Sequence, residues 1–320
     1  MAQPHALLRT SLSQTLPRSR RTVTSLSNRA TTPKRETVIA ERYPSRERHQ
    51  TQNARTKFSR SRARTGGAEG LGYGPYWRMS RPALHKAPMC GRVIQSSGPL
   101  RYAIVDGLNV RDSRVHNYPP RWNGAPSQEL LVIRRNHKTG EVSLDPLRWG
   151  LIPYWCKDPT GGRKPINAKC ETVATLPTFR DAYHLRRCIL PVDGFYEWKA
   201  IKGQRAKQPY AIAMQDGAPF GIAGLWENWK DPASGEWIRT FAVITTDTNE
   251  LVAEIHDRMP AILAPGDYTR WLSDGPDPRD LMRPFPAGLM RIWPISTRVN
   301  KPENDDPSVI EPIELASDAA

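Results

Sequence analysis

Residues 186–199, with the sequence RRCILPVDGFYEWK, contain the stretch that decides the class of fold. The apolar run at residues 188–192 is short and is followed by an Asp-Gly pair, a combination typical of a buried strand that ends in a turn. Comparable runs, rich in β-branched and aromatic residues, occur at residues 130–133, 209–214, 220–226 and 238–245. The chain therefore contains several short strands separated by turns.

Helices are fewer than strands. The patterns predict short helices at residues 178–184, 248–255 and 266–272, and a hairpin loop at residues 228–235. Because strands and helices do not alternate, a parallel βαβ sheet is disfavoured. We predict an α+β fold: a single domain with a curved, barrel-like, mainly antiparallel sheet and short helices, preceded by a disordered N-terminal extension.

The charge of the chain is concentrated at one end. Residues 1–88 contain 18 Lys and Arg and 4 Glu, a net charge of 18 − 4 = +14, whereas residues 89–320 contain 29 basic and 28 acidic residues, a net charge of +1. The first segment is rich in Arg, Ser and Thr and too poor in apolar residues to form a core. We therefore predict a disordered basic extension at residues 1–88, a folded domain at residues 89–300 and a polar tail at residues 301–320.

Three explanations are compatible with the basic extension. It has the composition of a nucleic-acid-binding tail, and also that of an organelle transit peptide. The third explanation is translated upstream sequence, with the natural start at Met89. We favour the third because of the residue that follows Met89.

The composition also indicates where the protein works. The four cysteines lack the regular spacing of a secreted disulfide framework, and the apolar runs are too short to span a bilayer. We expect a cytoplasmic protein without membrane association. Because the domain is nearly neutral, any claim about nucleic acid must depend on local groups of residues.

Cys90 follows Met89 directly in the sequence MCGR. Removal of an initiator Met89 would give Cys90 a free α-amine beside its thiol. The amine of such an aminothiol condenses with an aldehyde to an imine, and the thiol then closes a thiazolidine ring. The ordinary pKa values of the two groups, about 8 and about 8.5, allow both to react near neutral pH. The alternative is a small buried hydrophobic side chain.

Two further residues are candidates for proton transfer. Glu197 lies among Phe195, Tyr196 and Trp198, and aromatic packing would raise its pKa. The alternative is a surface Glu paired with Lys199. His256, at the end of a helical pattern, is a candidate acid-base group or a helix-terminal His.

Aromatic and basic residues cluster in RWGLIPYW (residues 148–155) and in PINAKCET (residues 165–172). Single-stranded DNA binds to such residues, because bases stack on aromatic rings and cations contact phosphates. The alternative is that the Trp side chains are core. Cys170, His184 and Cys188 form the best cluster for a metal, but their spacing fits no common zinc site, and we expect no metal or other cofactor.

Taken together, these segments resemble the SRAP family, the SOS response-associated peptidases or abasic-site-processing proteins. The resemblance extends from Met89 to about Val299 and includes eight motifs in order. They are MCGR, RWNGAP, RWGLIPYW, INAKCET, FR, RRCILPVDGFYEWK, ITTDTN and IHDRMP. Each motif alone is weak, but their order is specific.

The resemblance implies a function and assigns residues to it. Family members bind single-stranded DNA and link their N-terminal cysteine to the aldehyde of an abasic site as a thiazolidine. Cys90 would be the nucleophile, Asn167 would position the reacting groups, Glu197 would transfer protons, and His256 would assist ring opening and reversal. The implied DNA contacts are Arg92, Asn123, Trp155, Lys169 and Arg258. The implied partner is single-stranded DNA with abasic sites, bound by a monomer in the DNA damage (SOS) response and placed at the nucleoid.

The chain departs from the family in three places. Lys169 replaces an Arg, Cys156 replaces an aromatic residue, and Cys90 is preceded by 89 residues that block its amine. We therefore expect the functional protein to begin at Cys90. Two other functions stay open: a cysteine peptidase, autoproteolytic or acting on other proteins, that uses Cys90, His256 and Asn167, and a module that binds single-stranded DNA without a covalent bond.

Overall fold

The computed structural model describes residues 90–108, 113–159 and 164–315. The extension predicted at residues 1–88 lies outside the described residues. Within these ranges the chain forms strands and a few short helices. The strands are β1 (Val93–Gln95), β2 (Arg121–Gly124), β3 (Glu129–Arg135), β4 (Val142–Trp149), β5 (Asn167–Lys169), β6 (Arg187–Val192), β7 (Gly194–Ala200), β8 (Lys207–Met214), β9 (Phe220–Lys230), β10 (Trp237–Asp247), β11 (Arg258–Pro260), β12 (Ile262–Leu263) and β13 (Met290–Pro294).

The α-helices are short. They are α1 (Ser113–His116), α2 (Arg180–Leu185), α3 (Glu250–Ala253) and α4 (Tyr268–Leu272). Single 3₁₀ turns occur at Pro265–Asp267, Arg279–Leu281, Ala287–Leu289, Thr297–Asn300 and Pro307–Ile310. In the described part of the chain, no helix has the length and apolar character needed to cross a membrane.

Five strands pair in a closed ring. Strand β10 pairs with β4, β4 with β3, β3 with β6, β6 with β9, and β9 again with β10. The pairing of β10 with β4 is parallel, as is that of β10 with β5, and the other pairings of the ring are antiparallel. A second, antiparallel sheet has the order β13-β8-β7-β1-β2. The predicted α+β fold with a barrel-like, mainly antiparallel sheet is therefore confirmed.

The strands of the barrel are buried on both faces. Leu130 and Val132 of β3 pack in one apolar cluster with Phe195 of the second sheet. The alternate residues of β3, Leu131 and Ile133, pack in another cluster that contains residues of α2 and α4. This explains why the strands appear in the sequence as continuous apolar runs rather than as alternating patterns.

The side chain of Gln95 joins the two sheets. It is 1% exposed, and its Nε2 donates to the carbonyl oxygens of Leu131 and Pro191 at 2.9 and 2.7 Å. Its Oε1 accepts from the Leu131 N–H at 2.8 Å. Nearby, the carboxylate of Asp193 accepts from the N–H groups of Ser96 and Ser97 at 2.8 and 2.9 Å. These bonds fix β1 of the second sheet against β3 and β6 of the barrel.

The predicted strands are found, but the predicted loop and the three predicted helices have different boundaries. The loop predicted at residues 228–235 is shorter, because Trp229 pairs with Ile238 and its indole donates to the carbonyl oxygen of Cys156 at 2.6 Å. The helices predicted at residues 178–184, 248–255 and 266–272 are also shorter. Helix α3 begins after Asn249, whose side chain accepts from the Val252 N–H and caps the helix.

The segment predicted as a polar tail from residue 301 packs against the domain through residue 312. Asp305 accepts from the backbone N–H of Asn123 at 2.7 Å, Val309 is fully buried, and Ile295 pairs with Pro312. The prediction of a tail was wrong for these residues, because their polar side chains bind backbone groups of the domain instead of water.

Gln95→Leu tests the junction between the sheets. Leucine has a similar size but leaves three buried backbone groups of Leu131 and Pro191 without partners, so we expect a loss of about 3 kcal/mol in the free energy of unfolding. Denaturant unfolding measures this value. Gln204→Leu, at an exposed position in the β7–β8 loop, is the control and should change it by less than about 0.5 kcal/mol. A loss below about 1 kcal/mol in Gln95→Leu would contradict the role given to Gln95.

Candidate active site

A cavity of about 460 Å³ brings together residues that are distant in the sequence. The N-terminal end of the described domain, the second sheet and the loop before β11 contribute to its walls. Its lining residues are Gly91, Arg92, Pro126, Ile166, Glu197, Trp198, Ala206, Lys207, His256 and Asn300. Three of the residues singled out from the sequence, Arg92, Glu197 and His256, therefore line one cavity.

Cys90 precedes Gly91 of the cavity wall, and its backbone nitrogen lies 2.7 Å from Oε1 of Glu197, which lines the cavity. Its side chain is fully buried. Burial, followed by the negative charge of Glu197, raises the pKa of the Cys90 thiol well above its ordinary value. The φ angle of Cys90 is +40°, in the left-handed region that residues other than glycine rarely adopt. The thiol is therefore protonated and held close to a carboxyl group.

Glu197 lies on β7 and is 2% exposed. Burial raises its pKa to about 8, although hydrogen bonds from the Cys90 and Trp198 backbone act in the opposite direction. The charge of Lys207 also lowers this pKa, and that of Asp257 raises it. Glu197 is thus a desolvated carboxyl that exchanges protons near neutral pH, not a surface residue paired with Lys199.

The ring of His256 lines the cavity, and two groups contact its Nδ1 atom. The backbone N–H of Arg258 donates to Nδ1 at 3.2 Å, and Oδ1 of Asp257 lies 3.1 Å from the same nitrogen. The Arg258 bond requires an unprotonated Nδ1, so it favours the neutral ring with its proton on Nε2. The Asp257 carboxylate favours the charged ring. Each protonation state of His256 therefore has a partner, which suits a group that gives and takes protons.

Strand β5 carries Asn167 and Lys169 beside the cavity. Its parallel pairing with β10 places Asn167 opposite Val243, and the alternation of the strand points both polar residues to one face. Asn167 follows Ile166, which lines the cavity. The Trp149 indole N–H donates to the carbonyl oxygen of Ile166 at 3.0 Å. Asn167 is half-buried and Lys169 is exposed.

Asn123 does not have the position predicted from the sequence. It is fully buried, its amide donates to the carbonyl oxygens of Val299, Lys301 and Asn304, and its Oδ1 accepts from Arg92 at 2.9 Å. The predicted DNA contact is wrong for this residue, because its amide is fully used inside the protein. Asn123 instead holds Arg92 at the cavity wall.

Arg258 is also engaged within the protein. Its guanidinium binds both carboxylate oxygens of Glu171, Oδ1 of Asp247 at 2.9 Å and the carbonyl oxygen of Thr245 at 2.8 Å. In this structure the predicted DNA contact of Arg258 is therefore blocked by carboxylates. Trp155 is 51% exposed and so accessible to a ligand.

Several residues of the site were missed by the sequence analysis. Trp198 and Asn300, which line the cavity, are joined by a 2.7 Å bond from the indole to the amide oxygen. Trp198 adjoins Glu197 in the sequence and could have been found there, whereas Lys207 and Asn300 have no local signal. Among the described residues, no three His, Cys, Asp or Glu side chains are grouped as a metal site.

The model of the family described as SOS response associated peptidase, SRAP, matches residues 89–302. The chain belongs to the SRAP family. The resemblance inferred from the order of eight motifs is thereby confirmed.

Relatives of this SRAP chain occur in bacteria and vertebrates. Abasic site processing protein YoqW of Bacillus subtilis (strain 168) is 41% identical over 198 residues, which are 61% of this chain and 87% of the relative. Abasic site processing protein HMCES of Gallus gallus is 31% identical over 267 residues, 71% of this chain and 79% of the relative. A crystal structure of a Bacteroides thetaiotaomicron protein has a TM-score of 0.63 and 27% identity, and it covers 70% of this SRAP chain and 100% of its own.

Glu197→Gln tests the buried carboxyl. The pKa of Glu197 is about 8 in the folded protein and close to 4.5 in the unfolded chain, so the folded protein binds this proton more tightly. The group therefore stabilises the SRAP domain at low pH, and this stabilisation is lost as pH rises from about 4.5 to about 8. Because glutamine does not titrate, the Tm of Glu197→Gln should rise relative to wild type over this range.

Thermal unfolding at intervals between pH 5 and pH 8 measures this difference. Glu129→Gln, at an exposed position of β3, is the matched control and should keep the wild-type dependence on pH. A Tm difference between Glu197→Gln and wild type that stays constant with pH would contradict the burial argument.

Proposed function

We propose that this SRAP chain binds single-stranded DNA and forms a covalent thiazolidine cross-link with an abasic site through Cys90, as part of the DNA damage response. The observation that carries the proposal is the 2.7 Å contact between the Cys90 nitrogen and the buried carboxyl of Glu197. An amine at this position has a proton acceptor with a pKa of about 8 within hydrogen-bond distance. The names of the relatives, which are abasic site processing proteins, support the same substrate.

The reaction requires a form of the protein that begins at Cys90. An amide nitrogen is not nucleophilic, so a peptide bond before Cys90 removes one of the two reacting groups.

The burial of the thiol sets the order of the two bonds. Because the thiol of Cys90 is protonated, the α-amine attacks first: its nitrogen bonds to the aldehyde carbon, and water leaves to give an imine. The sulfur then bonds to the imine carbon while its proton passes to the nitrogen. The product is a five-membered ring, and the complete reaction releases one water.

Glu197 and His256 move the protons in this scheme, and Asn167 positions the reacting groups. Glu197 takes a proton from the ammonium form of the amine and returns it to the departing water. His256, with its proton on Nε2, donates to the sugar oxygen when the abasic ring opens, and accepts this proton in the reverse reaction. The half-exposed ring of Trp155 stacks on a base, and Lys169 and Arg92 contact phosphates.

The two alternatives receive less support from the site. A cysteine peptidase needs a thiolate activated by a neighbouring base, whereas burial and Glu197 raise the pKa of Cys90. A module that binds DNA without a covalent bond has no use for a desolvated carboxyl with a pKa of about 8 beside the Cys90 nitrogen.

The decisive experiment compares two forms of the protein, one that begins at Cys90 and one with a single Ala before Cys90. Each is mixed with oligonucleotides that contain an abasic site or an intact base. Only the form that begins at Cys90 should give an adduct that survives a denaturing gel, and only with the abasic strand. Its intact mass should equal the sum of the reactants minus one water, because imine formation releases water.

Cys90→Ser in the form that begins at residue 90 is the matched variant. It keeps the amine, but its hydroxyl cannot replace the thiol, so the stable adduct should be lost while binding of intact strands is kept. A full yield of stable adduct in this variant, or in the form with the added Ala, would overturn the thiazolidine mechanism.

Lys169→Ala tests the DNA contact of β5. A phosphate contact does not depend on the base, so affinity should fall equally for intact and abasic strands, and the slope of log K against log salt should fall by about 0.7. Titrations at several salt concentrations measure both, with Lys202→Ala in the exposed β7–β8 loop as the control. A loss confined to abasic strands would place Lys169 in the chemistry instead.

A further inference from the structure

The environment of Arg258 connects an exposed carboxylate to the ring of His256. The guanidinium of Arg258 makes a two-pronged contact with Glu171, in which Nη2 lies 2.9 Å from Oε2 and Nη1 also binds Oε1. The Nη2 atom donates in addition to the Thr245 carbonyl oxygen at 2.8 Å. The side chain of Arg258 is 12% exposed, so these bonds form at a largely buried group.

The backbone of the same residue holds His256. The Arg258 N–H donates to Nδ1 of His256 at 3.2 Å, and Arg258 pairs with Asp247 at the first position of β11. The guanidinium that Glu171 binds and the N–H that binds Nδ1 therefore belong to the same residue, so contacts that restrain the Arg258 side chain also restrain the backbone that supplies this donor.

We propose that Glu171 is a positioning residue for the reaction: by clamping the guanidinium of Arg258, it fixes the N–H that holds Nδ1 of His256, so that the neutral ring carries its proton on Nε2. The inference rests on the proposed function, because it gives His256 the proton-transfer role described above. It differs from the DNA contact expected for Arg258, since here the guanidinium acts on a neighbouring side chain.

Glu171 is a stronger clamp than Asp247, the other carboxylate on this guanidinium. Glu171 uses both carboxylate oxygens and is 48% exposed, whereas Asp247 uses one and is 80% exposed. The bond from Arg258 lowers the pKa of Glu171 to about 2, so this carboxylate keeps its charge across the working pH range. Two-pronged pairs of Arg and carboxylate fix the direction of the guanidinium, which a single contact does not.

Asp257 makes the clamp necessary. Its Oδ1 lies 3.1 Å from Nδ1 of His256, and a carboxylate at this position attracts a proton to that nitrogen. Without a fixed N–H from Arg258, the neutral ring would place its proton on Nδ1, toward Asp257. The proton on Nε2 that the proposed reaction uses would then be lost.

The experiment compares Glu171→Gln and the control Asp247→Asn with wild type, all in the form that begins at Cys90. Nitrogen-15 NMR of histidine measures which ring nitrogen of His256 carries the proton, with the signal assigned by its absence in His256→Ala. Rates of adduct formation and reversal are measured on an abasic strand, and affinity is measured on an intact strand.

We expect Glu171→Gln to shift the proton of His256 toward Nδ1 and to slow formation or reversal about tenfold, part of the 10²–10⁴-fold that positioned proton transfer provides. Affinity for the intact strand should change less than about twofold, and Asp247→Asn should behave like wild type. Glu171→Asp, which keeps the charge, should restore part of the rate and replaces Glu171→Gln if the latter does not fold.

Two results would overturn the proposal. One is a His256 proton that stays on Nε2 in Glu171→Gln. The other is a loss of affinity for the intact strand as large as the loss of rate, which would make the pair of Glu171 and Arg258 part of the DNA-binding surface. If wild type forms no adduct, the proposed function fails, and the NMR result still decides whether Glu171 positions His256.

Discussion

The position of β1 is the constraint on which the rest of the structure depends. This three-residue strand belongs to the second sheet and lies against the barrel, where the amide of Gln95 binds backbone groups of both β3 and β6. Strand β1 also pairs with β7, so Cys90 is placed beside Glu197 by the same short segment. Burial makes these bonds obligatory, because an unpaired backbone group inside the protein costs about 1–3 kcal/mol. The site is therefore as rigid as the junction between the two sheets.

Desolvation governs the chemistry of the site more than any single charge does. It is the largest cause of the raised pKa of both the Cys90 thiol and the Glu197 carboxyl. Both groups thus keep their protons near neutral pH. A base strong enough to deprotonate the thiol would have to form during the reaction. In the proposed reaction the imine is such a base, since its nitrogen becomes more basic as sulfur adds to the neighbouring carbon. The proposed order of bonds follows, because the buried thiol would react only after the imine has formed.

The sequence predicted the strands, the mixed class of fold and the residues that line the cavity better than it predicted contacts. The strand from Cys188 to Val192 is evident in the sequence because both of its faces are buried and all of its residues are therefore apolar. The desolvation of Glu197 is indicated by the aromatic residues next to it in the chain. By contrast, the partners of Asn123 lie more than 170 residues away, between Val299 and Asn304, and no local pattern indicates that they use its amide fully. The ion pairs of Arg258 were missed for the same reason: its charge is visible in the sequence, whereas its contact with Glu171 arises only from the pairing of β10 with β5 and β11. Asp305 resembled part of a tail because its hydrogen-bond partners, Arg121 and Asn123, are equally distant.

The closed ring of strands has a consequence for how the chain folds. Strand β10 completes the ring, and its Thr240 pairs with Arg148, a residue 92 positions earlier (240 − 148 = 92). No shorter piece of the chain can close the barrel, so β10 must leave the ribosome before the ring forms, and the cavity has its final walls only after His256 and Asn300 have followed. Folds dominated by such distant pairings form on the order of milliseconds to seconds, slower than helical bundles of the same stability. In a chain that begins at Cys90, as the proposed reaction requires, the amine and thiol are exposed to aldehydes in the cell during that interval, so the rate of barrel closure sets how long the reacting groups stay unprotected.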